Sequence, residues 1–522
     1  ELATNAGLSQ TDIANVKKND IASDYNDVKH YGDRFGYDYR INMGTAKLWA
    51  QNEWTFNEVD FYYALQLTYS SMQRTTNMIN GRAWYLSQLN PDLANLYLGR
   101  QADEIIAQAN NGTRTAGTTY MGQAHHFVDP AFKIGATYKI DGRNKLKINA
   151  LAETRAPLAR NAYISQRVHD RAIETIYTHD QAKNLKDFYA ASEKVVGGDL
   201  SYEFNFPIVR GRITGFFTQF WDGSELNGYY DDEARTFVNQ ALTGIDRRHM
   251  GIEAAAAVKL GTYFTLTGAA SVGDYRYTSN AMAITSAENG MALAEDKDGK
   301  SVFELQDEVL LKGIRVATGP QVNASLKLSF FHPKMWFADV TVSYYDWNFL
   351  DVAPSRRMKG LYTGVRADGT PVNGWYGDSY ANAIETTDGK AAVVTGDGSF
   401  PANAVLDANG VPVLRYPYNI LSMQESLAAT NPLNRFIIDA SVGKLIYLKN
   451  RQSLSVNLSV TNLTNNTHFK TGGYQQARLP RYTRQGVGDN ENSVISPNAW
   501  KFPSKYYYAW GMNFFLSVTY KF

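Results

Sequence analysis

Between Lys505 and Phe522 the even positions are Tyr506, Tyr508, Trp510, Met512, Phe514, Leu516, Val518, Tyr520 and Phe522, all apolar or aromatic. The odd positions include Lys505, Asn513, Ser517, Thr519 and Lys521. Successive side chains of a strand point to opposite faces, so the segment predicts one strand with an apolar face and a polar face. Its aromatic residues crowd the two ends, as where ring girdles mark the two interfaces of a bilayer. Strands of soluble domains usually run five or six residues, and this one is expected to keep its phase for about three times that.

The alternation recurs upstream. Leu454, Val456, Leu458 and Val460 oppose Ser453, Ser455, Asn457, Ser459 and Thr461. Val322, Ala324, Leu326, Leu328 and Phe330 oppose Gln321, Asn323, Ser325, Lys327 and Ser329, and Phe132, Ile134, Ala136, Tyr138 and Ile140 oppose Lys133, Thr137 and Lys139. Phe61, Tyr63, Leu65, Leu67 and Tyr69 make another such face. In Arg210 to Trp221 neither parity is clean, with Gln219 on one side and Phe216 and Phe220 on the other.

About thirteen such segments are expected, each near or above the nine to eleven residues that a tilted strand needs to cross a bilayer. Their links alternate in length. The short ones carry turn residues, as at Asp141-Gly142-Arg143-Asn144, Leu260-Gly261, His332-Pro333-Lys334 and Lys449-Asn450-Arg451. The others are roughly 25 to 85 residues, far above the usual length of a connection. The predicted fold is all-β, an antiparallel transmembrane β-barrel with long extracellular loops. In outer-membrane barrels short turns face the periplasm. This puts Phe522 on the periplasmic side, the long loops outside, and the chain in the outer membrane of a Gram-negative bacterium.

The first strand, about Tyr37 to Phe56, then descends from outside, so residues 1–36 are expected to be an extracellular loop segment and residues 37–522 the barrel. About thirteen strands do not make the even number of a closed single-chain barrel, and an open edge in lipid leaves backbone groups unsatisfied. The expectation is therefore the C-terminal part of a barrel whose N-terminal strands lie outside this sequence.

Composition fits that picture. The 522 residues carry 52 Lys+Arg against 51 Asp+Glu, a net charge of +1 that offers no basic footprint for nucleic acid. Mean hydropathy is −0.37 and no run of 18 apolar residues occurs, which excludes a bundle of transmembrane helices but not a barrel. Thirteen per cent of residues are aromatic and none is Cys, so thiol nucleophiles and Cys-ligated metals are excluded.

Inward positions such as Asp199, Glu203, Glu253, Asp339, Thr341, Ser343, Asp439 and Ser441 predict a hydrated wall. Ligand-binding candidates lie in the loops: Trp84 and Tyr85, Trp221 with Asp222, Tyr229 and Tyr230 beside Asp231 and Asp232, and Trp375 and Tyr376. Aromatic faces stack on sugars, peptides or ring-bearing chelates while carboxylates orient them. Ordered loop segments are expected at Ser9-Gln10-Thr11-Asp12, which opens a helix, and over Pro91 to Ala109 and Val168 to Leu185, with turns at Ala367-Asp368-Gly369 and Asp407-Ala408-Asn409-Gly410.

No enzyme and no cofactor is expected. His125-His126, His169-Asp170 and His179-Asp180 lack the paired spacing of a zinc helix. With Gly299 as the sixth residue of a calcium loop, Ala294 falls first and Leu305 twelfth, which loses two ligands. Gly377-Asp378-Ser379 lacks a strand-turn-helix elbow.

The run Ser455-Val456-Asn457-Leu458-Ser459-Val460-Thr461-Asn462-Leu463-Thr464-Asn465, a long loop, and Tyr506-Tyr507-Tyr508 through Tyr520-Lys521-Phe522 resembles the end of a TonB-dependent outer-membrane receptor, with its "N-L-x-N" strand and aromatic terminus. Thr471-Gly472-Gly473-Tyr474 and Lys501-Phe502-Pro503-Ser504-Lys505-Tyr506-Tyr507-Tyr508 resemble the SusC-like branch. The resemblance implies a barrel of about 22 strands around a plug, energised by the TonB complex through the N-terminal region. It implies active import of a scarce nutrient ligand (glycan, peptide or metal chelate), with a SusD-like surface lipoprotein as a further partner. A passive porin, or a surface binding or adhesion barrel without energised transport, is the alternative.

Overall fold

The computed structural model describes residues 10–23, 28–81, 85, 98, 102–111, 113, 115, 118–165, 191–231, 236–288, 292–295, 299, 301–360, 366–370, 383–387, 391–393, 402–406, 410, 412, 424–477 and 504–522. The strands are β1 (Tyr39–Thr55), β2 (Val59–Thr76), β3 (Tyr120–Lys139), β4 (Asn144–Arg155), β5 (Glu193–Asn205), β6 (Val209–Asp231) and β7 (Thr236–Leu260). There follow β8 (Phe264–Tyr277), β9 (Ala281–Ala287), β10 (Ala294–Glu295), β11 (Ser301–Val302), β12 (Glu304–Val309), β13 (Val322–His332) and β14 (Trp336–Asp346). The last are β15 (Ala383–Glu385), β16 (Ala391–Val393), β17 (Phe436–Tyr447), β18 (Ser453–Thr461), β19 (Lys470–Tyr474), β20 (Lys505–Tyr508) and β21 (Asn513–Lys521).

One antiparallel sheet dominates, in the order β1-β2-β3-β4-β5-β6-β7-β8-β13-β14-β17-β18-β21. This is an up-and-down meander of thirteen strands, as the alternation predicts. Strands β9 and β12 extend it off that path. Among the described residues no helix is long and apolar enough to cross a membrane, a criterion that does not apply to strands.

Register decides whether the apolar sets share a face, because a slip of one residue would turn a strand over. Across the sheet Leu516 partners Leu458, then Val442, Ala338, Phe330, Phe264 and Leu260. A second row runs from Val322 through Val272, Ile252, Gly215, Leu200, Ile148, Ala136 and Phe61 to Trp54. Together the rows visit all thirteen strands without a polar residue. Few of these side chains are covered by protein, and Phe514, Leu516 and Val518 are 76%, 57% and 59% exposed.

At the short-turn edge the same face carries a belt of rings. Trp54 stacks on Phe61 at 5.5 Å, Tyr202 contacts Phe204 at 5.9 Å, Phe264 contacts Phe330 at 5.1 Å and Tyr520 contacts Phe522 at 6.2 Å. Lys444 lies 4.5 Å over Trp336. The other face is polar and paired: Lys139 to Asp60 at 2.6 Å, Lys147 to Glu203 at 2.9 Å, Lys327 to Asp339 at 3.1 Å, and the Asn149 amide to Asp199 at 3.0 Å.

The short turns are locally encoded. Asp141 accepts from the backbone N–H groups of Arg143 and Asn144 at 2.6 and 2.7 Å, and Gly261 takes the left-handed φ of +72° that favours glycine. At the opposite edge the links are long, with one exception. The ladder of β6 and β7 continues far past the other strands and closes at Asp231 and Thr236, so a hairpin stands where sequence predicts a loop. Register shifts at Phe220, Gly223 and Glu225 interrupt the alternation there, and these bulges hide the extension from a parity reading.

The C-terminal strand also differs from expectation. Instead of one strand from Lys505 to Phe522, β20 pairs with β19 in a separate two-stranded sheet and β21 alone joins the main sheet. Between them Asn side chains replace the ladder: Met512 N–H donates to Asn465 Oδ1 at 2.9 Å, and Asn462 Nδ2 donates to the Trp510 carbonyl at 2.7 Å. Phe514, Leu516, Val518 and Tyr520 keep the expected face. Tyr506 leaves it, donating its hydroxyl to Glu425 at 2.7 Å under Lys470.

Small clusters pack at the long-link edge. Ile21, just beyond the helix Gln10–Lys17, joins Ile79, Leu98, Ala102, Ile105 and Tyr120, where the helix Ala102–Asn110 supplies Ala102 and Ile105.

Candidate functional site

On the polar face, toward the long-link edge, the sheet brings rings and charges together. Strand β6 contributes Phe216 and Phe220, β7 His249 and Arg247, and β8 Tyr275. His249 lies 5.2 Å from Phe220 and 4.8 Å from Tyr275, and Phe216 lies 6.4 Å from Tyr275. Parity places all of them opposite the apolar face, since Met250 and Ile252 belong to that face and His249 does not. His249 Nε2 is buried with no hydrogen-bond partner among the described residues.

An ion-pair chain borders these rings. Arg155 meets Glu193 at 2.6 Å, Glu193 meets Arg247 at 3.2 Å, and Arg247 reaches Glu225 at 3.9 Å while lying 5.7 Å over Phe220. Beyond it, burial and then the Glu225 charge push the Asp351 carboxyl above the usual carboxylate range. The arrangement offers flat apolar faces, an imidazole nitrogen and charges of both signs, the equipment to hold a ring-bearing polar ligand. Closer to the middle of the sheet, Glu253 and Ser343 line a recess of about 330 Å³ with Arg212, Ser271 and Asn323.

An ordered cap is built on the β6/β7 hairpin. Strand β9 pairs with β7, β12 pairs with β9, and residues 358–360 and 366–370 pack against them. Its core holds Ala241, Met282, Ile284, Ile164 and Ala367. Asp307, 2% exposed, accepts from the Gly360 and Glu308 N–H groups at 2.9 Å each, and burial pushes its carboxyl up to about 7. Arg366 faces it, and the Asp368 carboxylate accepts from the Gln306 N–H at 2.7 Å.

Among the described residues, the sequence-derived candidates do not converge on one point. Trp221 stands on the apolar face, where it borders a groove with Leu48, Leu65 and Phe132. Asp222, its neighbour, sits in a bulge at φ +60°, bound to Lys194 at 2.6 Å, with its N–H donating to Asp246 at 3.1 Å. Tyr229 is buried in the cap, and Tyr230 meets Phe237 edge-on at 5.5 Å across the hairpin. Tyr85 is half-buried. Trp84, Trp375, Tyr376, Asp232, residues 91–97, the Val168 to Leu185 segment, His169, His179 and Gly377 to Ser379 lie outside the described residues. His126 Nδ1 is hydrogen-bonded with the Tyr69 hydroxyl at 2.7 Å. The Phe216, Phe220, His249 and Tyr275 group is what sequence reasoning missed. Its signal was the unclean parity of Arg210 to Trp221, which arises because Phe216 and Phe220 point away from the apolar face.

Neither a family model nor a curated protein matches the chain. Solved structures do. The ferric yersiniabactin uptake receptor of Yersinia pestis is 10% identical, with 84% of this chain and 43% of that one covered and a TM-score of 0.42. A siderophore receptor of Acinetobacter baumannii is 10% identical over 92% and 43% of the two chains, with a TM-score of 0.44. The ferric citrate transporter in its unliganded form is 9% identical over 96% and 48%, with a TM-score of 0.42. The chain spans less than half the length of each.

Proposed function

We propose that this chain forms the wall of a transport barrel in the outer membrane of a Gram-negative bacterium, of the TonB-dependent receptor type. The observation that carries the reading is the unbroken apolar face across thirteen registered antiparallel strands, backed by a polar, ion-paired face. A sheet with that asymmetry is stable where one side meets lipid and the other a hydrated lumen. Among the described residues, strands β1 and β21 each pair with one neighbour in the main sheet, and in lipid such edges require partner strands. On this reading the short turns are periplasmic and the long links extracellular. The ring and ion-pair group, together with the loop aromatics Trp84, Tyr85, Tyr229, Tyr230, Trp375 and Tyr376, belongs to the ligand path. The SusC-like branch and its lipoprotein lid rest on the motifs at Thr471 to Tyr474 and Lys501 to Tyr508.

The test is uptake by cells with and without the protein, offered a labelled ferric chelate, an oligosaccharide and an oligopeptide. The expected result is accumulation of one class that needs the protein and stops when a protonophore collapses the energised state. Protein-dependent entry that persists at full rate under the protonophore would make the barrel a passive pore.

A further inference from the structure

The apolar face ends abruptly at the long-link edge. Along β8 the outward residues Leu266, Gly268, Ala270 and Val272 are followed by Asp274 and Arg276, and in β7 Met250 and Ile252 give way to Arg248. Arg248 and Arg276 are direct cross-strand partners, an arrangement of like charges that costs stability unless an anion offsets it. Among the described residues one carboxylate pairs with them. Asp274 takes Arg276 at 2.6 Å, Arg315 at 3.0 Å and Arg248 at 3.8 Å, so three guanidinium groups share a single negative charge. Arg315 is fixed over the rings of Trp347 and Phe349 at 5.0 and 4.9 Å. Burial and the Arg276 charge lower its pKa from the ordinary arginine value. The side chains of Arg248 and Arg276 are each more than a third exposed.

The same spot tops an open groove of about 850 Å³ in the apolar face. Ile148, Leu200, Phe217, Ile252 and Val272 line it, and Asp274 and Trp347 stand among its residues. Its floor is low because Gly198 and Gly215 carry no side chains. A cationic cluster facing a soluble anion would gain nothing from an adjoining acyl-sized apolar trough, and a trough meant for bulk lipid tails needs no unbalanced arginines.

We propose that this is a binding site for an anionic, phosphate-bearing membrane lipid, with an acyl chain in the groove and the phosphate at Arg248 and Arg276. Charge complementarity selects the headgroup and the groove selects a chain-bearing source over free phosphate. The proposal rests on the reading of this face as lipid-facing.

The experiment uses the complete barrel, with the partner strands of β1 and β21 present, and measures its retention of phosphatidic acid and of phosphatidylcholine in detergent micelles by native mass spectrometry. Insertion of each variant into phosphatidylcholine vesicles is scored separately by protease protection. Wild type is expected to prefer phosphatidic acid by about tenfold or more, and R248Q/R276Q to lose that preference with phosphatidylcholine retention unchanged. A Cβ at Gly215 meets nothing within 4 Å, so Gly215→Leu is expected to fold normally, fill the groove and weaken phosphatidic acid retention. Glycerol 3-phosphate, which has the headgroup without the chain, should be retained by none of them. Equal phosphatidic acid retention by wild type and R248Q/R276Q, or undiminished retention by Gly215→Leu, overturns the site while the membrane reading stands. Failure of the wild type to insert overturns the membrane reading and the site with it.

Discussion

Asn462 joins the ends of three strands through its side chain and its own N–H. Its Nδ2 donates to the carbonyls of Asn466 and Trp510 at 3.0 and 2.7 Å, and its Oδ1 accepts from the Asn466 N–H at 2.8 Å. Its own N–H donates to Asp439 at 2.8 Å, and its φ of +52° is one that asparagine tolerates better than most residues. Asn466 in turn donates to the Asn434 and Phe436 carbonyls at 2.9 and 3.0 Å. The "N-L-x-N" pattern is thus a clasp holding the ends of β17, β18 and β21. Because Asn462 is 4% and Asn466 8% exposed, Asn462→Ala leaves the buried N–H and carbonyl of Asn466 without partners and is expected to cost roughly 1 to 3 kcal/mol for each group orphaned. Urea titration of the protein folded in bilayers measures it, and an unchanged midpoint would refute the clasp. The pattern was visible in sequence, yet its role was not, because the partners at Trp510 and Asp439 are distant in the chain.

Among elements, those whose alternation runs uninterrupted were the legible ones. Strands β13, β18 and β21 show clean parity because one face is apolar from end to end. Strand β6 does not, since Phe216 and Phe220 serve the polar face and its bulges reset the phase near Gly223. The cap of β9 and β12 was invisible for a different reason: it is buried on both sides by other links, so Ala281, Met282, Ala283 and Ile284 form an unbroken apolar run without period. Asp307 makes this cap sensitive to pH. The folded state keeps its proton up to about pH 7, whereas the unfolded chain releases it near the ordinary value of 3.8. The contribution of Asp307 to cap stability is therefore fully present below the unfolded value and is lost as pH rises through 7. Hydrogen exchange of the β9 and β12 amides, corrected for the intrinsic rate, is expected to be slower at about pH 5 than at about pH 7.5. Asp307→Asn should abolish the difference, and a difference that survives in that variant would assign the pH dependence elsewhere.

For the whole molecule, the thirteen-strand meander and the two faces followed from side-chain period, because the same asymmetry recurs from strand to strand. The site did not follow, because its rings come from β6, β7 and β8 and meet only once the register is set. Trp221 shows the limit plainly: a tryptophan beside an aspartate reads as a ligand pair, but the strand sends it to the apolar face. The central claim is that this face meets lipid and the other meets water. The chain contains no Cys, so single cysteines placed at Leu458, Ser459, Leu516 and Ser517 report without interference. In bilayers, a water-soluble thiol reagent should label positions 459 and 517 and a lipid-soluble quencher should reach 458 and 516. Equal labelling of all four by the water-soluble reagent would contradict the account.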